Sequence, residues 1–474
     1  PDSGSVAYWS GGELRRTDLT GQTATIPFHV SDARRITPAL RFPVEVAPDR
    51  FPAAALSGVR VSPDGTLVVY AAMGKLWITP VLAPKPRRLT EEASGIEYAA
   101  SWSRDSKSIA FGRWTDKGLG ELRVVAASGG RGQTVASGGH WQEPAFSVDG
   151  RFLVARQGSA GWLRSAASAW EPGLYRMPLK KGRPELLVRA GEQPHFGKDP
   201  DRLYFLGQKG EKPALQSIDL GAPVSEAPET HLVFHSATQA TVSPDGRFVA
   251  FAERYRSYIT VFPPTGRSRD VGPKSEDLPV ARVSRDTGES VHWAAGKVFW
   301  ARGPELFSRR LEDTFAWIPG APEKLPELPQ SGAAIGFSAA SDKPEGAVAI
   351  VGARLLTLRG GALDSVIEDG TLVIEKNRIT AVGPRTGISV PAGAFVIDGK
   401  GVTAIPGLVD VHMHGSQAED GIAPEQNWSL QAHLAFGVTT VHDPSNDSLA
   451  VFTAAERQRT GELLGPRIFS TGTI

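Results

Sequence analysis

The sequence predicts a multidomain fold: an all-β propeller, followed by a small β-sandwich and the first strands of a TIM (β/α)8 barrel. Three observations predict this order. A turn motif recurs every 41–50 residues through the first two-thirds of the 474-residue chain. A proline-rich segment then interrupts the repeats. Beyond it, short strands give way to strands that alternate with helices, a pattern typical of a parallel sheet.

The repeated motif is a turn of the type Ser-Pro-Asp-Gly, followed by an apolar strand. The Asp side chain can accept hydrogen bonds from backbone N–H groups just ahead of it, and Gly supplies the positive φ that such turns often need. Three or four strands per repeat of this length suit a propeller blade. Copies begin at Val61, Trp102, Phe146, Phe196 (a weaker copy), Val242 and Val291 (which lacks the Asp). The motif resembles the repeats of TolB-like and WD40-like propellers, and we assign residues 1–317 to such a domain.

The chain opens on a further partial copy, in which Pro1–Gly4 precedes the strand Ser5–Trp9. We therefore expect the chain to start inside a blade and an upstream portion to exist. With this copy seven repeats are visible. Whether they close one propeller or belong to two stays open at this stage.

Residues 318–345 are expected to be a linker, because prolines at 319, 322, 326 and 329 stiffen the segment and deny it ladder hydrogen bonds. Short strands separated by tight turns fill residues 346–406 and suit a small β-sandwich. Residues 407–474 are assigned to the first three βα units of an incomplete TIM barrel. The predicted elements are a strand at 408–414, a helix at 426–436, a strand at 438–442, a helix at 449–464 and a strand at 467–471.

The first of these barrel strands carries a candidate metal site. Side chains alternate along a strand, so Asp410, His412 and His414 are expected to share one face. Inward residues near the carboxyl end of a barrel strand line the active site. Two neutral imidazoles there are suited to binding a divalent ion such as Zn²⁺.

The segment Ile405–His414 strongly resembles the first barrel strand of the amidohydrolase superfamily, and Gly437–Val441 followed by Asp443 resembles its second strand. The resemblance covers roughly residues 347–474, including the composite β-sandwich. It implies a metal-dependent hydrolase of amide, ester or cyclic C–N bonds with one or two metal ions. It also implies that His412 and His414 are the first two metal ligands, with Asp410 beside them as an orienting residue.

For the other histidines, a structural role is the first interpretation. His442 and Asp443, at the end of the second strand, are candidates for the pocket or for contacts behind the metal ligands, although a structural role is the commoner outcome. His433 is expected to be packed or exposed in its helix. The propeller histidines at 29, 140, 195, 231, 235 and 292 show no ligand spacing.

The remaining metal ligands and the general base cannot be assigned, because the superfamily places them on later strands. Three strands would leave apolar faces and an open edge exposed. We therefore expect the rest of the barrel to come from a second chain or from a segment outside this sequence. An oligomer is compatible with this expectation.

Composition limits the functions available. The chain has no cysteine, which excludes disulfides, thiol catalysis and Fe–S clusters, and its formal charge of +1 gives no general attraction to nucleic acid or an anionic membrane. No apolar run is long enough to span a bilayer. A small molecule or a peptide is the expected substrate. The TolB-like resemblance favours the periplasm or secretion, with the cytoplasm as the alternative.

Two alternatives to a propeller-bearing amidohydrolase are kept. One is a non-catalytic binding protein, in which a propeller is fused to a degenerate barrel. The other is a propeller-gated peptidase of the prolyl-oligopeptidase type. The second is disfavoured, because the chain has no Gly-x-Ser-x-Gly motif.

Overall fold

The computed structural model describes residues 4–35, 44–159, 161, 163, 171–180, 182–221, 227–263, 266–359 and 365–473. Strands account for 49% of the described residues and helices for 5%, which confirms the predominance of β-structure. The chain divides into two compact units, Pro1–Ala47 and Pro48–Ile474.

The first unit is a three-stranded antiparallel sheet of β1 (Ser5–Ser10), β2 (Glu13–Asp18) and β3 (Thr23–Thr25), in that order. Every residue of β1 is exposed. The assignment of these residues to the propeller stays a prediction. The turn residues Pro1–Ser3 of the expected seventh repeat lie outside the described residues.

The second unit contains six small sheets that follow one another along the chain, each with an antiparallel core. A short strand, β4 (Arg50–Pro52), precedes them. The first three blades are β5 (Ser57–Val61), β6 (Leu67–Ala72), β7 (Lys75–Pro80) and β8 (Arg87–Arg88); β9 (Ile96–Trp102), β10 (Ser108–Thr115), β11 (Leu119–Ala126) and β12 (Gln133–Gly139); and β13 (Trp141–Phe146), β14 (Phe152–Gln157), β15 (Gly173–Pro178) and β16 (Glu185–Val188).

The last three blades are built in the same way, except that one strand of the fourth follows the third strand of the fifth. The fourth blade is β17 (Glu192–Phe196), β18 (Arg202–Lys209), β19 (Lys212–Asp219) and β20 (Glu229–Phe234), with β24 (Arg269–Val271) added parallel to β20. The fifth blade is β21 (Ala237–Val242), β22 (Phe248–Glu253), β23 (Arg256–Val261) and β25 (Val280–Arg282). The sixth blade is β26 (Glu289–Ala294), β27 (Lys297–Arg302), β28 (Glu305–Arg310) and β29 (Ala333–Ala334).

The six blades close one ring. The first strand of each blade contacts the first strands of its neighbours, and the ring closes where β26 contacts β5. Buried apolar clusters fill the space between successive blades; the closing one joins Val59, Tyr70, Phe299 and Leu306. Six repeats therefore form a single propeller.

The repeated turn has the chemistry that the sequence predicts. In the first blade, Ser62 Oγ donates to Asp64 Oδ1 at 2.5 Å, and Asp64 Oδ1 accepts from the backbone N–H of Thr66 at 2.9 Å. Gly65 has φ of 78°. Equivalent Ser–Asp hydrogen bonds occur at Ser103–Asp105, Ser147–Asp149 and Ser243–Asp245.

The predicted linker 318–345 is partly a component of the propeller, which is a correction. β29 pairs with β28, the outer part of the sixth blade, and β30 (Ser338–Ala340) pairs with β4. The Tyr70 hydroxyl donates to the carbonyl of Ile335 at 2.6 Å. The physical reason is that the exposed edge of β28 gains a hydrogen-bonding partner from this segment despite its prolines.

A single mixed sheet follows, rather than the expected β-sandwich. Its strands are β31 (Ala347–Leu356), β32 (Val366–Glu375), β33 (Arg378–Pro384), β34 (Phe395–Asp398) and β35 (Thr403–Ala404). Within residues 365–473 no second layer covers β34, where every residue is exposed. A sandwich needs a second sheet to bury such a face, and the described residues do not supply one.

The last region is a parallel three-stranded sheet with two crossover helices. Its elements are β36 (Leu408–Asp410), α1 (Trp428–Ala435), β37 (Val438–Asp443), α2 (Ser448–Arg459) and β38 (Arg467–Ser470). The order confirms the predicted alternation of strand and helix. Within the described residues these elements make two βα units and a third strand. Asn427 and Asp447 accept hydrogen bonds from the first-turn amides of α1 and α2, which fixes where each helix begins.

Helix α2 also joins this region to the propeller. The buried Glu456 accepts hydrogen bonds from the backbone N–H groups of Ala54 and Ala55, at 2.8 and 3.1 Å. The buried Arg457 donates to the carbonyls of Pro424 and Glu425. Glu456 thus attaches the parallel sheet to the backbone just ahead of the first blade, whereas Arg457 holds the loop that precedes α1.

Replacing Tyr70 by Phe should lower the free energy of unfolding by about 1 kcal/mol, because the buried carbonyl of Ile335 loses its hydroxyl donor. Thermal unfolding is the measurement. Tyr255→Phe is the matched control, since the Tyr255 side chain is exposed. Equal stability of the two variants would contradict a structural role for residues 333–340.

Stability should also fall as the pH drops below about 6.5. His292 Nε2 accepts from the backbone N–H of Val61 at 2.9 Å, a hydrogen bond that joins the sixth blade to the first. Burial lowers the pKa of His292 to about 3, so the folded state keeps it neutral while the unfolded chain binds a proton. The loss should reach about 1.4 kcal/mol per pH unit between the unfolded and the folded pKa.

Thermal unfolding between pH 7 and pH 4 tests this expectation. His292→Gln should show a shallower decline than the parent protein, and His235→Gln, at an exposed position, should match the parent. Parallel pH profiles for all three proteins would contradict the assignment of the neutral His292 to ring closure.

Candidate metal site and the loop that holds it

The two candidate ligands lie just beyond a parallel strand. β36 ends at Asp410, and the chain bends at Val411 and His412. The expected strand over 408–414 is therefore shorter than predicted. Asp410 Oδ1 accepts a hydrogen bond from the backbone N–H of His412 at 3.0 Å. Asp410 thus fixes the turn that follows the strand, and its role as an orienting residue for the metal ligands stays a prediction.

The imidazole rings nevertheless come together. His412 Nε2 and His414 Nε2 are 3.1 Å apart, and the rings are inclined by 74°. Both side chains are exposed, whereas Met413 between them is buried against α1 and α2. The alternation of facing directions that the sequence predicts therefore holds at these three residues although the strand has ended.

The spacing of the two nitrogens suits a shared ion. Two nitrogens bound to one tetrahedral zinc, each at about 2.0–2.1 Å, lie roughly 3.3 Å apart. The observed 3.1 Å is close to that value. The donor set is therefore compatible with Zn²⁺ or a similar divalent ion. Catalytic zinc sites usually have three protein ligands, so the pair supplies two of them.

Asp443 lies behind His414. It is fully buried, and its Oδ1 is 3.9 Å from His414 Nδ1, the ring nitrogen that faces away from His412. That distance is too long for a hydrogen bond. The carboxylate nevertheless lies on the side of the ring opposite Nε2, the atom that would bind an ion.

Asn446 is a residue that the sequence did not single out. Its side-chain amide donates to Asp443 Oδ2 at 2.7 Å and to the carbonyl of Gly415 at 2.6 Å. The loop after β37 is thereby tied to the residue that follows His414. The sequence signal that could have identified Asn446 is its place in a Pro-Ser-Asn-Asp turn next to Asp443. Such turns are common on protein surfaces, so the signal is weak.

His442 and Asp443 are neighbours in β37, so their side chains face opposite sides of the sheet. Only Asp443 approaches His414. Among the described residues, the His442 side chain takes part in no hydrogen bond or ion pair. In α1, the His433 Nδ1 atom contacts the carbonyl of Ser429 at 2.8 Å. In the propeller, His195 and His292 accept hydrogen bonds from backbone N–H groups of the next blade.

Across the described residues, no group of three or more His, Asp or Glu side chains is placed to hold a metal ion. The site within this chain is therefore a histidine pair with a buried carboxylate behind it.

The segment after His414, residues 415–427, lies on the propeller, and we call it the docking loop. Asp420 forms a bidentate pair with Arg156 of the third blade, at 2.6 and 3.2 Å, and accepts from the Gln142 amide at 2.8 Å. Arg156 also pairs with Glu143. Burial disfavours the charge of Arg156, but Glu143 and Asp420 hold its pKa above the usual value.

The other end of the docking loop pairs with the second blade. Asp116 accepts from the backbone N–H groups of Glu425 and Gln426, each at 3.0 Å. Glu425 in return accepts from the backbone N–H groups of Asp116 and Gly95. Between these contacts, Ile422 is buried in an apolar cluster with Ile96, Tyr98 and Trp114. None of these docking residues was identified from the sequence, because their partners are about 250–330 residues away.

Matches to known proteins are short and partial. No family model matches the chain. A 5-methylthioadenosine/S-adenosylhomocysteine deaminase of Pelotomaculum thermopropionicum is 43% identical over 72 residues, which cover 15% of this chain and 16% of the relative. An imidazolonepropionase of Alkaliphilus metalliredigens is 40% identical over 68 residues, 13% of this chain and 16% of the relative. The structure of TolB from Acinetobacter baumannii aligns with a TM-score of 0.38 and 15% identity, over 58% of this chain and 60% of TolB.

The chain spans about a sixth of the length of these two curated relatives. The relatives are enzymes of the amidohydrolase family, so they support a hydrolase at the level of the family. In the described part of the chain, no helix combines the length and the apolar character needed to cross a membrane.

Replacing Asp420 by Ala should loosen the docking loop, because Arg156 loses its bidentate carboxylate partner. We expect a cost of about 1–3 kcal/mol, measured as faster amide hydrogen exchange over residues 415–427. Glu345→Ala, at an exposed position, is the control. Unchanged exchange in the Asp420 variant would show that the loop is held without this pair.

Proposed function

We propose that this chain carries the propeller and the opening barrel strands of a metal-dependent hydrolase. The bond cleaved would be an amide or a related C–N or ester bond, as in peptides or N-acyl amino acids. The observation that carries the proposal is the 3.1 Å approach of two exposed imidazole Nε2 atoms at the carboxyl end of a parallel strand. The partial amidohydrolase relatives support the same reaction class.

His412 and His414 would hold a divalent ion, with zinc as the first candidate and a second ion compatible with the family. Such an ion supplies Lewis acidity, which polarises a substrate carbonyl and makes a water molecule more acidic. Other residues of this chain would position the two histidines. Asp410 fixes the backbone of His412, while Asp443 and Asn446 fix the region around His414 and Gly415.

Further barrel strands, from a second chain or another segment of the same protein, would complete the site. Leu408, Val409 and Val411 are 51%, 59% and 71% exposed, although a strand of a closed barrel would bury them. Neither β36 nor β38 has a second neighbour among the described residues. The added strands would cover these faces and supply the remaining metal ligands and the general base.

The propeller would limit access to the site or bind a partner. The docking loop, which begins directly after His414, is fixed to the second and third blades by Glu425, Ile422 and Asp420. A substrate that approaches the histidine pair therefore meets the propeller beside it. We infer a periplasmic or secreted location from the resemblance of the repeats to TolB-like proteins, with the cytoplasm as the alternative; cell fractionation tests it.

A second candidate is a binding protein with a degenerate barrel. The observation that favours it is that the described residues bring together only two metal ligands. The two candidates differ in whether the intact protein holds a metal ion.

In the full-length protein, His412→Ala and His414→Ala should each remove most of the bound divalent metal, because each deletes one of two nitrogens on the same ion. Elemental analysis after dialysis is the measurement, and hydrolysis of an N-acyl amino acid panel is the second readout. His433→Ala is the matched control, since this histidine bonds to its own helix.

Metal content and activity equal to the parent protein in both variants would overturn the proposal. Absence of metal from the parent protein, together with unchanged binding properties in the variants, would favour the binding protein.

A further inference from the structure

The propeller encloses a cavity of about 620 Å³ on its axis. This lies within the range of about 300–1,000 Å³ that is typical of small-molecule pockets. All six innermost strands contribute to its wall. We call this cavity the axial channel. It is separate from the histidine pair, which lies beyond β36.

Arg60 of the first blade is a positively charged residue in the wall of the axial channel. Its Nη1 donates to the carbonyl of Val59 at 2.9 Å, and among the described residues it forms no ion pair with a carboxylate. Its charged or polar neighbours on other blades are Glu143 and His292. The guanidinium therefore faces across the channel and keeps unused donors.

Neither of those neighbours forms an ion pair with Arg60, although Glu143 favours its charge. Glu143 already pairs with Arg156 at 3.1 Å and accepts from the backbone N–H of Gln193 at 2.8 Å. His292 is neutral, because burial holds its pKa near 3. Arg60 is therefore a half-buried positive charge without an ion pair among the described residues, and such a charge favours an anionic ligand.

Arg104 lies at one end of the axial channel. It belongs to the turn after β9 in the second blade, and its Nη1 donates to the carbonyl of Gly197 after β17, at 3.1 Å. Its Nη2 approaches the carbonyl of Pro244 after β21, at 3.4 Å. These acceptors belong to the fourth and fifth blades, so the side chain spans the mouth of the channel.

The opposite end of the channel faces the docking loop. Gly95 and Gln142, which bond to the loop, stand at the beginning of innermost strands, whereas Arg104 and the repeated Ser–Asp turns follow the ends of those strands. Arg104 therefore closes the face that is remote from the docking loop.

We propose that the axial channel binds the carboxylate group of a small organic acid or of a peptide C-terminus, with Arg60 as the anchoring residue and Arg104 as the closure of the remote end. Trp102 and Trp293, which also line the channel, supply apolar surface for the rest of the ligand. The guanidinium geometry favours a carboxylate because two parallel N–H donors match its two oxygens.

The test is calorimetric binding of N-acetyl-alanyl-alanine and of its C-terminal amide to the full chain. The acid should bind and the amide should bind at least about tenfold more weakly, because the amide lacks the charge that Arg60 pairs with. Arg60→Gln should weaken binding of the acid by a similar factor. Arg60→Lys should restore part of it, and Arg183→Gln, on the exposed surface, should leave it unchanged.

The position of the bound ligand is determined by ¹⁹F NMR of protein labelled with 5-fluorotryptophan. The variants Trp102→Phe and Trp293→Phe assign the resonances of the two tryptophans that line the channel. The acid should shift one or both. N-acetyl-alanine and an N-acetyl tetrapeptide acid distinguish the two sources of carboxylate: tighter binding of the shorter ligand assigns a small acid, and tighter binding of the longer ligand assigns a peptide terminus.

Equal affinity for acid and amide, parent-like affinity in Arg60→Gln, or unshifted channel resonances would each overturn the proposal. If Arg60→Gln does not fold, two measurements still test the proposal. They are the affinities of the parent protein for the acid and the amide, and the affinity of Arg60→Lys for the acid. The inference does not depend on the metal site, so His412→Ala should bind the probe like the parent protein.

Discussion

Closure of the propeller ring is the constraint on which the described architecture depends. Each innermost strand packs between two neighbours, and the last contact, β26 with β5, is made by residues far apart in the chain. Hydrogen bonds from side chains to backbone groups add to the contacts between blades. His292 accepts from the backbone N–H of Val61, and Gln239 accepts from the backbone N–H of Val291 at 3.0 Å. Because a buried backbone N–H without an acceptor is costly, these polar side chains suit the ring better than apolar ones of equal size.

Ring closure also creates the two surfaces on which function is proposed. It encloses the axial channel, and it brings the beginnings of the innermost strands to one face, where the docking loop is received. Arg156 connects these surfaces, since it pairs with Glu143 beside the channel and with Asp420 of the docking loop. Because this half-buried arginine pairs with carboxylates on both sides, channel and loop share one electrostatic unit.

The candidate metal site depends on the propeller indirectly, through the docking loop that follows His414. His412 and His414 are exposed, and what fixes them is backbone: the Asp410 carboxylate at the amide of His412, and the Asn446 amide at the carbonyl of Gly415. The loop that continues from Gly415 is then held by the propeller. The histidines are thus positioned from both directions along the chain, which accounts for their close approach although neither lies within a strand.

The sequence by itself determined the repeated Ser–Asp turns, the alternation of strand and helix after residue 407, and the His412–His414 pair, because each depends on residues only a few positions apart. Tertiary structure alone decided that six repeats close the ring and that β29 and Ile335 belong to it. It alone also placed Asp443 behind His414 and Arg104 across the channel. The physical reason is that these contacts join residues about 30–290 positions apart, and no local pattern of charge or hydrophobicity encodes which distant backbone group a side chain will meet.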